Sequence, residues 1–254
     1  MNNMLHMTNE SGIVTLTLDN PPANAVNNAL LRDLVSTLHD LKFDEGVRGV
    51  LITGQGDRFF CAGGDVKEFA VITRELGRER VRLGSRLKTG ISQLDCPVVA
   101  AVNGTAVGTG MEMVALADYS VSSNTAKFGM PEINHGLLPM AKGIQQLVRL
   151  IGEKNTKDIL FNGDIFDANR AERLGIVDEV VEPDQVQAKA LEWLETMAAK
   201  PSQLFRALKR TVRDSVDMDD ESLEQLTELD FHGYFQTEEA VSQLRDLNEK
   251  QTVS

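Results

Sequence analysis

Twice along this chain a short apolar run leads into glycines and then into a helical pattern. Phe59 to Glu68 reads FFCAGGDVKE, and Pro97 to Asp118 reads PVVAAVNGTAVGTGMEMVALAD. A turn of this kind needs a buried strand behind it and turns the free amides of a helix start toward a cleft. Glycine lets a ligand or a second loop approach the main chain closely. A chain with two such turns is constrained to mixed α/β architecture.

The flanking patterns agree. Gly12 to Asp19 alternates Val14, Leu16 and Leu18 at period two, which predicts a strand, and Asn20-Pro21-Pro22 ends it. Asn27 is placed to cap a helix whose apolar stripe is Leu31, Leu34, Val35, Leu38 and Leu41. Val47 to Thr53 and Pro97 to Val102 read as buried strands, Arg78 to Leu94 as a helix, and Tyr119 to Ser123 and Ala126 to Gly129 as further strands. From Met140 the pattern is mostly helical, apart from a strand at Ile176 to Val181, with breaks at Pro183 and Pro201. An α/β core over residues 1–200 followed by a helical region over 201–254 is the expected organisation.

Composition narrows the function classes. A formal charge of -12 argues against nucleic-acid binding, which rests on neutralising phosphates. Cys61 and Cys96 are too few for a disulfide framework or a metal cage. No apolar run reaches membrane-spanning length, and Met1 to Glu10 lacks the pattern of a signal peptide, so a cytoplasmic enzyme is expected.

Each glycine turn has an ordinary reading. Asp65 caps a helix in the first, and Glu112 complements a helix dipole in the second. The second turn is no phosphate-binding P-loop, because no Lys-Ser or Lys-Thr follows its glycines. Nor is it a dinucleotide fingerprint, since Gly108-Thr109-Gly110 has no glycine three residues later.

Taken together the motifs are more specific. FCAGGDVKE, AAVNGTAVGTGMEMVALAD, AKFGMPEINHGLLP and ANRAERLGIVDEVV, in this order, resemble the enoyl-CoA hydratase/isomerase (crotonase) family over roughly residues 10 to 200. The resemblance implies a crotonase-like ββα superhelical core, a homotrimer or dimer of trimers, and a coenzyme A thioester substrate of fatty-acid type. It implies no metal and no separate cofactor, since coenzyme A is part of the substrate. Carried over position by position, the N–H groups of Gly64 and Thr109 form an oxyanion hole for the thioester oxygen. Fixed dipoles aimed at developing charge suit an enolate-forming reaction. Threonine stands at 109 where most of the family has glycine, which keeps the donor and narrows the space. Glu112 and Glu132 match the two glutamates of the hydratases, the first activating water and the second exchanging the α-carbon proton. Substrate contacts are implied at Ala25, Ala62, Gly64, Asp65, Val66, Gly108, Thr109 and Pro131.

The chain departs from the family's Pro-Gly-x-Gly-Gly segment with Pro139-Met140-Ala141-Lys142-Gly143, and Met130 stands where hydratases often carry a polar residue. His135 and Cys61 are read as structural. Stripes at Leu204, Leu208 and Val212, and at Leu223, Leu226 and Leu229, are expected to pack within the subunit or across a trimer contact. The tail Glu249-Lys250-Gln251 lacks the basic ending of many relatives. An enoyl-CoA hydratase is the expected function. An enoyl-CoA isomerase, or a non-catalytic acyl-CoA-binding protein on the same fold, is the alternative.

Overall fold

The computed structural model describes residues 4–238 and 240–245, apart from the side chain of Ala141, so the tail at 249–251 lies outside the described residues. The chain divides into two compact units, meeting at residues 197 and 198.

In the first unit, β1 (Leu5–Glu10) pairs antiparallel with β2 (Ile13–Leu18). The helix α1 (Asn28–Phe43) follows, and Asn27 caps it by accepting a hydrogen bond from the Leu30 N–H. Its buried face carries the stripe read from sequence, Leu31 to Leu41, together with Leu30. A pattern then recurs: a strand in a large sheet, a short strand in a small sheet, then helix. β3 (Gly49–Gly54) and β4 (Phe59–Cys61) lead into α2 (Val66–Phe69) and α3 (Arg74–Ser92). β5 (Val98–Val102) and β6 (Thr105–Val107) lead into α4 (Thr109–Leu116). β7 (Tyr119–Ser123) and β8 (Lys127–Gly129) lead through a 3₁₀ turn at Pro131–His135 into α5 (Ala141–Asn162). β9 (Ile165–Asp167), α6 (Ala168–Leu174), β10 (Glu179–Val181) and α7 (Val186–Ala198) complete the unit.

The large sheet runs β1-β2-β3-β5-β7-β10 and the small one β4-β6-β8-β9. From β2 to β10 the large sheet is parallel, so both of its faces must be covered. Val50, Ile52, Val98 and Ala100 belong to the cluster that includes the buried leucines of α1 and α3. Leu51, Val99, Ala101 and Val121 pack instead with Val186, Ala190 and Leu194 of α7. This alternation explains why β3 and β5 read as unbroken apolar runs. Stacked ββα units are the superhelical core that the resemblance implies, and they place both glycine turns where small-sheet strands pass into helices.

Local departures from the sequence reading have physical causes. β1 was not foreseen because only Leu5 is buried and no alternation survives. β4, β6 and β9 are too short to show a period. α3 begins at Arg74 rather than Arg78, capped by Thr73, because its first turn is polar and exposed. β10 pairs only from Glu179, since Ile176 and Val177 are buried in the turn that closes α6.

In the second unit, α8 (Ser202–Asp214) and α9 (Asp220–Phe235) pack as a pair joined by the Arg210–Asp230 ion pair. Leu208, Val212, Leu229 and Phe231 are exposed. Among the described residues no helix is long and apolar enough to cross a membrane.

Candidate active site

The first glycine turn leaves the sheet behind Phe60 and Cys61, both fully buried. Cys61 packs as a small apolar group, and burial pushes its thiol up to about 12. The turn is stitched to the segment before α1. Val26 donates its N–H to the Gly63 carbonyl at 2.8 Å, and the Val26 carbonyl accepts from the Asp65 N–H at 3.2 Å. Arg80 of α3, 4% exposed, donates to that same carbonyl at 2.9 Å and lies over the Phe69 ring. The Asp65 side chain caps α2 by accepting from the Lys67 N–H at 2.9 Å.

The second turn comes off β6. Gly108 has φ +52, a left-handed value that disfavours any side chain. A Cβ there would also stand 2.7 Å from Glu132 Oε1 and 3.6 Å from the Gly63 Cα, so the two turns touch. Gly108 donates to the Gly129 carbonyl at 2.9 Å and accepts the first α4 bond from the Glu112 N–H at 2.9 Å. As the first residue of α4, Thr109 has no intrahelical acceptor for its own N–H. Among the described residues, no hydrogen bond engages the N–H of Gly64 or of Thr109. Two donors, one from each touching turn, are therefore left open.

Glu112 and Glu132 meet a cavity of about 200 Å³, which Ala62, Gly64, Val66, Gly108, Thr109 and Pro131 also line. Ala25 and Asp65 stand outside that lining; the Ala25 carbonyl accepts from Asn20 Nδ2 at 2.5 Å. Phe69, Leu137, Leu138 and Met140 give the cavity an apolar side, and exposed His135 reaches it as well. Met140 packs against Gly84 of α3, where a Cβ would stand 2.9 Å from its methyl. Lys142 is exposed and bonds Thr89 Oγ1 at 2.5 Å, and Met130 is fully buried.

The carboxyls have unlike surroundings. Glu112 is 3% exposed and accepts from Lys88 Nζ at 2.5 Å, while Lys88 is itself 2% exposed. Burial pushes the Glu112 carboxyl up and the Lys88 amine down, and their mutual attraction opposes both shifts. The Met140 backbone adds a hydrogen bond to Glu112. Gly143 of α5 lies so close that a Cβ there would overlap Glu112 Oε1. Glu132 sits in the 3₁₀ turn, and its Oε2 is buried without a partner. Burial foremost, reinforced by the Glu112 charge, pushes its carboxyl up to about 7. The site therefore holds one carboxyl tied to a cation and one free to keep or release a proton near neutrality.

Lys88 and Arg80 were missed by sequence reasoning. Their signal was positional: both stand among Leu83, Gly84, Leu87 and Ile91, on the buried face of α3. A cation at such a position needs a buried partner.

Known proteins give the same picture. The family profile described as enoyl-CoA hydratase/isomerase matches residues 8–253. The 2,3-dehydroadipyl-CoA hydratase of Escherichia coli is 35% identical over 217 residues, 84% of this chain and 83% of that protein. The short-chain-enoyl-CoA hydratase of Clostridium acetobutylicum is 30% identical over 220 residues, 86% and 84% of the two chains. An enoyl-CoA hydratase structure from Bacillus anthracis superimposes with a TM-score of 0.92 at 29% identity, covering 98% of this chain and 97% of that one. With its stacked ββα core and its paired glycine turns, the chain belongs to the enoyl-CoA hydratase/isomerase family.

Proposed function

We propose that the protein is an enoyl-CoA hydratase and that the cavity between the two glycine turns holds the reacting end of an acyl-CoA thioester. The observation that carries this reading is the pair of unlike glutamates on one cavity beside two open backbone donors. The thioester oxygen accepts from the N–H groups of Gly64 and Thr109, which draws charge toward it and leaves the β-carbon electron-poor. Water attacks that carbon while its proton passes to the Glu112 carboxylate, and the electron pair of the double bond moves into an enolate. Glu132, raised to about 7 and so still protonated in a large share of molecules near neutrality, gives its proton to the α-carbon as the enolate collapses. Glu112 then releases its proton to solvent and Glu132 regains one. The net change is one water added with no electrons gained or lost, and coenzyme A serves only as the carrier.

An isomerase reading draws on the same asymmetry. With Glu112 tied to Lys88, Glu132 alone would remove and return a proton between carbons. The exposed apolar residues Leu208, Val212, Leu229 and Phe231 support a homotrimer or dimer of trimers, and a cytoplasmic setting accords with the reading. The test is a mass-spectrometric screen of the purified protein against enoyl-CoA thioesters of graded chain length and double-bond position. A product heavier by one water is expected. A product of unchanged mass with a moved double bond would replace the hydratase reading by the isomerase one.

A further inference from the structure

Of the Lys88–Glu112 pair, Glu112 lines the cavity and Lys88 does not. Burying both charges is costly, and the cost is offset only by close geometry and further hydrogen bonds. The geometry is close, at 2.5 Å, and the Met140 backbone supplies a second bond to the carboxylate. An apolar side chain at position 88 would continue the stripe of Leu83, Leu87 and Ile91 without that cost. We propose that Lys88 is a positioning residue for this reaction: its ammonium fixes Glu112 as the anionic member of the pair and leaves Glu132 to carry the proton. This rests on the hydratase reading for its chemistry, but not for its electrostatics.

The charged and titratable groups around the pair come from every side. Glu112 reaches Lys88 from α4, Glu132 faces it from the 3₁₀ turn, and Lys142 faces it from α5. Arg80, on the same helix as Lys88, acts on Glu112, and the Glu112 charge in turn acts on Cys61 of β4. Lys88 is the cation in contact with the Glu112 carboxylate, and Glu132 has no such contact. An adjacent opposite charge favours the ionised form of a carboxyl by about 1–3 pH units. Without Lys88, two buried carboxyls would share one cavity and compete for one proton, and their roles would no longer be distinct.

The test titrates the glutamate carboxyls by ¹³C NMR in the ligand-free protein, with Glu112→Gln and Glu132→Gln assigning the two signals. In Lys88→Met, Glu112 is expected to titrate at least about one pH unit higher than in the wild type. Lys88→Arg, which restores the charge, is expected to bring the titration back toward wild type. If Lys88→Met does not fold, Lys88→Gln keeps a donor without the charge and answers the same question. In turnover, Lys88→Met is expected to lower hydration roughly 10²-fold at neutral pH, mainly in kcat, with Lys88→Arg restoring much of the loss. Lys88→Met combined with Glu112→Gln is expected to be no slower than Glu112→Gln alone. An unchanged Glu112 titration in the uncharged variant overturns the proposal. A wild-type protein that hydrates no enoyl-CoA would remove the hydratase reading, while the titration would still decide the role of Lys88.

Discussion

Glu112 and Glu132 meet one cavity, yet the elements that carry them build opposite environments. Glu112 stands in the first turn of α4, enclosed by α3 and α5, and its charge is met by Lys88. Glu132 stands in a single 3₁₀ turn with one oxygen buried and unpartnered. A cation in contact opposes the upward shift that burial imposes on the Glu112 carboxyl, whereas Glu132 is enclosed without such a partner. On the proposed hydratase reading, two residues of one type take the roles of base and acid through their neighbours.

The largest expected effects come from deleting each half of that contrast. Glu132→Gln and Glu112→Gln should each lower the rate of hydration by about 10²–10⁴ with little change in thioester affinity, measured by steady-state kinetics beside ligand titration. If exchange of the α-proton into deuterated water persists in Glu112→Gln but not in Glu132→Gln, the division of roles is sharpened. Equal exchange in both variants would break it.

Glycines behind the two carboxyls offer a subtler probe. Alanine at 143 would overlap Glu112 Oε1, and alanine at 108 would crowd Glu132 Oε1 at 2.7 Å on a left-handed backbone. A displacement of about 1 Å at a reacting group costs up to roughly 10² in rate. Gly143→Ala should therefore slow water addition, while Gly108→Ala should slow α-proton exchange and also perturb the turn. A Gly143→Ala enzyme with wild-type hydration would show that Glu112 need not stand where it does.

The smallest expected effect is on stability. Because the Glu132 carboxyl is raised from 4.5 to about 7, its contribution is fully present below pH 4.5 and is lost as pH rises through about 7. The wild type should lose stability relative to Glu132→Gln across that window, by roughly 5–10 °C in Tm once partial solvent screening is allowed for. Parallel melting curves over the same range would place Glu132 in water rather than in a closed site.

Much of this architecture was legible in the sequence, for identifiable reasons. The stripe of α1 and its Asn27 cap are periodic and local, and they stand as read. The strands β3 and β5 announce themselves as apolar runs because both faces of their sheet are covered. The glycine turns and both glutamates were found through motifs, and they converge on one cavity. Lys88 was not found, because its meaning lies in a contact with Glu112 across 24 residues of chain. On its own helix it reads as one more charge. Met140 drew notice as a departure, but its packing against Gly84 is a tertiary fact that no spacing shows.

In the proposed reaction Glu132 delivers a proton as the acid and Glu112 accepts one as the base. The most direct test is the pH dependence of kcat/KM for enoyl-CoA hydration, compared between wild type and Glu132→Gln. The wild-type value should fall as pH rises through about 7, as Glu132 loses its proton. In Glu132→Gln the residual rate should show no such fall. An alkaline limb near pH 7 that survives unchanged in Glu132→Gln would contradict the account.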